Sequence, residues 1–292
     1  MYFKRDPLPA NSDTIYGFVQ FLSRSMQPRS VRNYLSGVKM LHILHGLSYL
    51  GSDDILLQLE LRGISRMNPH VPARAKPITP AILLAFYNNM DHEDSLHSNV
   101  WACGLFLFYT LSRLGSILPT SSSTPKHKFL TRDRVNFCTE GLLVTFLHTK
   151  TIQFGKRRLH TPLLKINSLL CPVLAYSQAS SWVKAGKYDP AFIFHLKGKS
   201  RWLTKSVFIR TFRSVLRAGG VDDSASFTGH SFRRGGATWA FQSGVPGELI
   251  QICGNWVSDS YKRYLEFTMD NKLDLAARFI KDLPQLSNDY IR

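Results

Sequence analysis

Acidic residues are scarce in this chain. Its 292 residues include 20 Asp and Glu against 37 Lys and Arg, which gives a formal net charge of +17 at pH 7. So large a positive excess excludes a strongly acidic surface and indicates a polyanionic partner, with nucleic acid preferred over an acidic membrane. The alternative is a basic surface that only keeps the protein soluble.

Cysteine is also scarce, and the four that are present have no paired spacing. This excludes a disulfide framework and a cysteine zinc site. We therefore expect buried thiols in a reducing compartment, nuclear or cytoplasmic. The cysteines are Cys103, Cys138, Cys171 and Cys253.

Long apolar runs are missing. The most apolar stretch, residues 100–111, is too short to span a bilayer and contains Gly104, so it predicts a core helix. Residues 2–6 are charged and are followed by prolines, which does not match a secretion signal. We expect no membrane partner.

Cofactor motifs are missing as well. The sequence has neither a carboxylate cluster suited to Mg²⁺ nor a glycine-rich phosphate loop with its lysine, so we expect no cofactor and no metal. It has no internal repeat. Hydrophobic residues make up 44% of the chain, enough to fill the cores of about two domains at this length.

The first 76 residues predict a helical domain. One helix is expected to be capped by Ser12, a second to start after Pro28, and a third to follow Ser52 with Ile55, Leu56 and Leu59 as its apolar positions. The second helix carries a basic face. Its cations are Arg29, Arg32 and Lys39.

A proline-rich, basic stretch at residues 68–77 cannot continue a helix and predicts a linker between domains 1–76 and 78–292. Thr79 and Pro80 predict the next helix start.

Alternating patterns at 132–137, 142–148 and 157–163 predict a small antiparallel sheet, and helices are expected from residue 169 onward. The predicted fold class is mainly α with a small antiparallel β-sheet. A last helix is expected at residues 273–283.

The most informative motif is a histidine three residues before an arginine, His230 and Arg233, in the stretch Gly-His-Ser-Phe-Arg-Arg-Gly-Gly. On a helix, residues at this spacing share a face, so both can point at one anionic group. A Gly-x-Trp turn follows, with Asn255 and Trp256 after Gly254, and then Tyr264, whose hydroxyl can attack that group.

This arrangement resembles the C-terminal half of the tyrosine recombinases, the phage integrase family. The interval of ten positions from Gly254 to Tyr264 matches that of the family, although Tyr261 lies one turn earlier. The family normally has His or Trp directly after the glycine, where this chain has Asn255. The Gly-x-Trp version resembles recombinases of DIRS-type retrotransposons and Crypton-like elements. Trp256 can either pack in the core or donate its indole N–H to a phosphate.

Two further positions carry the resemblance. The segment around Arg113 resembles the one that holds the family's first catalytic arginine, but Ser116 stands where an acidic residue is common. An arginine in so apolar a segment needs an anion, either a protein carboxylate or a ligand phosphate. Lys150 lies at the hairpin where the family has its catalytic lysine, and Lys156 is the rival candidate.

The resemblance implies a helical, SAM-like core-binding domain, a catalytic domain, and cleavage of double-stranded DNA through a covalent 3′-phosphotyrosine. It also implies closure of the two domains around the duplex and assembly of four protomers. The candidate catalytic residues are Arg113, Lys150, His230, Arg233, Asn255, Trp256 and Tyr264. The first alternative is a catalytically impaired, DNA-binding relic of a mobile element, favoured by Ser116 and Asn255. The second is a helical interaction module.

Overall fold

A computed structural model describes residues 8–49, 54–69, 75–152, 157–266 and 269–280. The chain divides into two units, Met1–Arg74 and Ala75–Arg292. The division falls within the proline-rich stretch at residues 68–77.

Three helices form the first unit, α1 at Ser12–Ser23, α2 at Pro28–Leu44 and α3 at Ile55–Met67. The first two begin within a residue of the predicted positions. The cap of α1 is Asn11, and the prediction of Ser12 was wrong, because the Asn11 carboxamide accepts the Thr14 N–H. Asp54 caps α3 by accepting from the N–H groups of Leu56 and Leu57.

The buried face of α3 differs from the predicted one. Ile55, Leu56 and Leu59 are exposed, whereas Leu57 and Leu61 are buried against the other two helices. Residues four apart share a helix face, so Leu57 and Leu61 form the stripe that packs. The sequence offered two apolar faces on this helix, and contact with α1 and α2 selects between them.

The second unit is built around α5 at Ser95–Tyr109, which is buried on nearly all sides, as predicted for residues 100–111. Around it lie α4 at Pro80–Asn89, α7 at Pro172–Ser181, α8 at Lys205–Ala218 and α9 at Gly229–Gln242. Shorter helices follow α5 and α9. They are α6 at Leu114–Ile117 and α10 at Gly247–Cys253, and α11 spans Met269–Ile280. Residues 281–283, the predicted end of the last helix, lie outside the described residues.

A three-stranded antiparallel sheet confirms the prediction for residues 132–163. Its strands are β1 at Val135–Cys138, β2 at Gly141–Phe146 and β3 at Leu159–Leu164, in the order β1-β2-β3. Residues 132–134, predicted as strand, form a 3₁₀ helix instead. A second hairpin was missed, β4 at Ile193–Leu196 with β5 at Lys199–Trp202. The mainly α fold class with a small sheet is thus confirmed.

The cysteines are only partly buried. Cys103 and Cys171 are buried, and burial raises the pKa of the Cys103 thiol well above its ordinary value. Cys138 and Cys253 are exposed, so the prediction of four buried thiols was wrong for these two, which end β1 and α10 at the surface. Within the described ranges, none of the helices has the length and apolar content needed to cross a membrane.

Gly235 allows α9 to pack directly on the backbone. A methyl group there would lie 1.8 Å from the Ile78 carbonyl oxygen. We expect Gly235→Ala to lower the free energy of unfolding by about 2–3 kcal/mol, because the backbone must shift to admit the added carbon. Urea unfolding followed by tryptophan fluorescence measures this, since all five tryptophans belong to the second unit.

Gly37→Ala is the control for this measurement. Gly37 is a helical glycine of the first unit with no atom within 4 Å of an added methyl, so the tryptophan transition should not move. An unchanged transition in Gly235→Ala would contradict the packing.

Candidate active site

The first turn of α9 presents His230 and Arg233. Thr228 caps this helix by accepting the His230 N–H, and the Ser231 hydroxyl accepts the Thr228 N–H. The capped turn fixes both side chains relative to the helix axis. His230 stays exposed, whereas Arg233 is 2% exposed and points into the protein.

The Arg233 guanidinium is held by two backbone carbonyls and two rings. Its Nη1 donates to the Leu111 carbonyl, and its Nη2 donates to the Gly254 carbonyl at 2.8 Å. The guanidinium carbon Cζ lies 3.8 Å from the centre of the Trp256 ring and 5.4 Å from the centre of the Tyr264 ring. Burial and, to a smaller extent, the charge of Arg113 lower the pKa of Arg233 to about 10, while Tyr264 opposes the change. The guanidinium therefore stays charged at pH 7.

Both carbonyls owe their direction to unusual backbone. Leu111 has φ +50°, and Asn255, directly after Gly254, has φ +52°. Only one other non-glycine residue in the described part of the chain, Lys197, has a positive φ. Such conformations cost on the order of 1–3 kcal/mol each and persist where the surroundings enforce them. Here packing of the buried Leu111 side chain among apolar neighbours of α9 and α10 enforces one of them.

Gly254 is required by Trp256. A methyl group at residue 254 would lie 1.7 Å from the Trp256 ring, so the ring can lie flat against the turn only if residue 254 is glycine. The ring then packs on Arg233, while its Nε1 is buried and has no hydrogen-bond partner among the described residues. The core-packing interpretation of Trp256 is thus supported, and one indole donor stays unpaired.

Arg113 lines the same cavity as His230. It follows the strained Leu111 turn and occupies the N-cap position of the short helix α6. Its side chain is half-buried. In the part of the chain that the structure describes, no carboxylate lies within salt-bridge distance of Arg113 or Arg233. Of the two anions that the sequence left open for Arg113, the protein carboxylate is therefore not found among these residues.

The cavity has a volume of about 460 Å³. Its lining residues are Arg113, Leu114, Gly115, Ser116, His148, Thr149, Lys150, Gly229 and His230. Three candidate catalytic residues thus meet at one cavity, and Ser116 faces it from the position where an acidic residue was expected.

Lys150 lies in a tight turn after β2, where Thr149 and Ile152 pair through their backbones. Asn255 contacts the same turn. Its amide donates to the Thr151 hydroxyl at 2.7 Å and accepts from Arg157 at 2.7 Å. Asn255 therefore holds the hairpin that carries Lys150. The rival Lys156 lies outside the described residues.

The electrostatics favour neutral His230. Loss of hydration lowers the pKa of its imidazole, and the positive charges of Arg113, Arg233 and Lys150 lower it further. A neutral imidazole can accept a proton at pH 7.

The two tyrosines of the 3₁₀ helix Asp259–Tyr264 have different surroundings. Tyr261 is buried beside Gly247, where a methyl group would lie 2.5 Å from its hydroxyl. Tyr264 is half-buried, with its ring 5.2 Å from Trp256, and its hydroxyl interacts with Arg233. Thr238 fixes its backbone by donating to the Tyr264 carbonyl at 2.9 Å. Tyr264 is thus the tyrosine in contact with the arginine.

Solved structures of tyrosine recombinases resemble this chain over most of its length. The Tn1549 transposon integrase in complex with transposon right end DNA gives a TM-score of 0.60 at 13% identity, over 94% of this chain and 87% of that one. A lambda integrase dimer bound to a COC′ core site gives 0.57 at 13%, over 97% and 86%. The XerH site-specific recombinase in a post-cleavage complex with its palindromic difH substrate gives 0.55 at 10%, over 92% and 70%.

This chain has the tyrosine recombinase fold. No protein-family model matches its sequence, and no curated protein matches it. At 10–13% sequence identity, these structural similarities show the fold alone. The chemistry depends on the residues of the site.

The recombinase fold also displays a basic face that the sequence analysis missed. Helix α8 buries its apolar side and turns four cations and two serines outward along a groove of about 570 Å³. The cations are Lys205, Arg210, Arg213 and Arg217. Their helical spacing in a segment without a carboxylate was the signal available in the sequence.

Metal ligands are not clustered in the described residues. No group of three or more His, Cys, Asp or Glu side chains there is placed to hold a metal ion.

Proposed function

We propose that the protein is a tyrosine recombinase that cleaves and rejoins double-stranded DNA through a covalent 3′-phosphotyrosine. One observation carries this proposal: Arg113, Lys150 and His230 line a single cavity, while Arg233 lies against the ring of Tyr264. Positive charge gathered in this way favours a phosphodiester, whose nonbridging oxygens gain negative charge during attack.

Arg113 and Arg233 act on those nonbridging oxygens. Arg233 commits one N–H from each terminal nitrogen to a carbonyl, and the guanidinium has five N–H groups, so donors remain for a phosphate. The carbonyls and the Trp256 ring orient it before DNA arrives. Such preorganisation costs no rearrangement during the reaction.

Tyr264, His230 and Lys150 carry the bond changes. The Tyr264 oxygen attacks phosphorus and forms the P–O bond, and neutral His230 accepts the phenol proton. The bond to the 5′ oxygen breaks, and Lys150 gives that oxygen a proton. The phosphotyrosine ester conserves the bond energy, so the reverse attack by a 5′ hydroxyl rejoins the strand.

The first unit serves as the core-binding domain in this proposal. Its helix α2 carries Arg29, Arg32 and Lys39, which suit contacts to DNA phosphates. Self-association into a tetramer on DNA is part of the same proposal. Leu273 of α11 supports it, because this apolar side chain is 61% exposed.

The proposal extends to the kind of mobile element that encodes the protein and to the compartment where it acts. The Gly254–Trp256 turn is the feature that favours a DIRS-type or Crypton-like mobile element, and a protein acting on such DNA belongs in the nucleus or the cytoplasm. The relic alternative is favoured by Ser116, since a neutral side chain stands at the position of the usual acid. Trapping of the protein on a nicked suicide duplex, from which the cleaved end diffuses away, decides between enzyme and relic.

The cations of α8 predict steep salt dependence. We expect Arg210→Ala and Arg217→Ala each to weaken duplex binding and to reduce the magnitude of the log–log salt slope by about 1, because each neutralised phosphate releases counterions. Fluorescence anisotropy over a salt series measures both. Lys199→Ala, an exposed cation of β5 outside the groove, is the control. Unchanged slopes in both arginine variants would contradict a DNA contact by α8.

The lowered pKa of His230 predicts the pH dependence of cleavage. At saturating DNA, adduct formation should be faster at neutral pH than at acid pH, because protonated His230 cannot accept the phenol proton. Arg113→Gln removes one cation that lowers this pKa, so the acid limb should move to higher pH while the rate falls. Single-turnover rates across pH measure both.

His230→Gln should remove the acid limb, because no imidazole remains to titrate. A limb that persists in this variant would assign it to another group.

A further inference from the structure

His148 is a second histidine in the same cavity. It lies two residues after the end of β2 and two residues before Lys150, is half-buried, and lines the cavity together with Arg113 and His230. The ring of His127, from the 3₁₀ helix Lys126–Lys128, lies 6.3 Å from its ring at 72°. We call His127, Lys128 and His148 the His148 cluster. None of its three residues has a role in the reaction described above.

The charges that surround the two cavity histidines differ. Those acting on His230 are Arg113, Arg233 and Lys150. Burial lowers the pKa of His148, and His127 and Lys128 lower it further. The two sets have no member in common. His230 and His148 thus line the same cavity, but a different set of basic groups surrounds each.

The size of the cavity fits more than one phosphate. A water molecule occupies about 30 Å³ in the liquid. A volume of about 460 Å³ thus leaves room beyond the group that Arg113 and His230 bind. Successive phosphates of a DNA strand are separated by one nucleotide, and a strand that enters the cavity brings a second anion with it.

We propose that the His148 cluster forms a second phosphate-binding subsite, which holds a DNA phosphate next to the scissile one. The proposal rests on the proposed function, since it takes the ligand to be DNA. His127 and Lys128 are exposed and can follow the strand, whereas His148 is fixed at the end of β2. The subsite therefore positions the strand, and its residues do not touch the reacting atoms.

This subsite makes DNA binding dependent on pH. A bound phosphate stabilises the imidazolium form, so the pKa of His148 rises in the complex and binding takes up a proton. Affinity should therefore increase as pH falls through the histidine range. The charged or titratable groups near His148 are His127 and Lys128 from the 3₁₀ helix, and Arg113, Lys150 and His230, which line the same cavity.

The test uses the full chain and a short nicked duplex of arbitrary sequence. His148→Gln should weaken binding about fivefold near pH 6 and less than about twofold near pH 8.5, since only the charged imidazole contributes. His148→Lys keeps a positive charge at both pH values and should bind tightly at both. His160→Gln removes an exposed histidine of β3 that does not line the cavity, so it is the matched control.

A second measurement needs no variant at His148. Histidine proton NMR of the wild-type protein should show the pKa of His148 rising when the duplex is added. A loss in His148→Gln that is equal at all pH values, or a His148→Lys variant that binds as weakly as His148→Gln, would overturn the subsite alone. Failure of the wild-type protein to bind the duplex would instead overturn the proposed function.

Discussion

Tyr264→Phe is expected to abolish the covalent adduct between the protein and a nicked suicide duplex while leaving noncovalent binding intact. The substitution removes one oxygen, the atom that forms the bond to phosphorus, and keeps the ring that packs against Trp256 and Arg233. Loss of the contact between the hydroxyl and Arg233 should cost about 1 kcal/mol of stability. A denaturing gel measures the adduct, and anisotropy measures binding.

Tyr261→Phe is the matched control. Tyr261 belongs to the same 3₁₀ helix, but it is buried beside Gly247 and its ring lies 6.3 Å from Trp256. Its hydroxyl therefore has a packing role, and the variant should form the adduct at nearly the wild-type rate. Mass spectrometry that places the DNA on Tyr261 would overturn the assignment. Adduct formation by Tyr264→Phe would do the same.

The sequence predicted the residues around the cavity better than it predicted their surroundings. Arg113, Lys150 and His230 were recognised from short motifs, and the structure places them together although they are far apart in the chain. The motifs could be read because each gives residues of defined chemistry at a fixed local spacing. The roles of these residues in catalysis stay predictions.

Features that depend on tertiary contacts were not predicted. The positive φ of Leu111 is enforced by packing against α9 and α10, which no local pattern reveals. In the sequence, His148 is an ordinary residue that follows a predicted strand. Only the fold places it at the cavity. In α2, the polar His42 is buried, because its ring accepts the Ala10 N–H at 2.9 Å and interacts with the Val38 carbonyl, whereas the apolar neighbour Leu41 is not. Leu41 itself is 49% exposed.

Arg233→Lys is expected to slow adduct formation by a factor of about 100 to 1,000, comparable to the loss of one donor to a developing oxyanion. A lysine keeps the charge but lacks the planar fork that reaches the Leu111 and Gly254 carbonyls together. One buried carbonyl then loses its partner, which should cost about 1–3 kcal/mol of stability. Single-turnover rates at saturating DNA separate the chemical effect from binding.

Arg234→Lys provides the comparison that distinguishes the phosphate role from burial of any arginine at this turn. Arg234 is the next residue, is 7% exposed, and pairs with Glu266 at 2.5 Å, a contact that an ammonium can keep. Its adduct rate should stay within about threefold of the wild-type rate, since lysine keeps the charge that pairs with Glu266 and Arg234 does not line the cavity. Equal slowing in both variants would mean that α9 needs arginine for packing, and that the carbonyl pair at Leu111 and Gly254 does not prepare Arg233 for a phosphate.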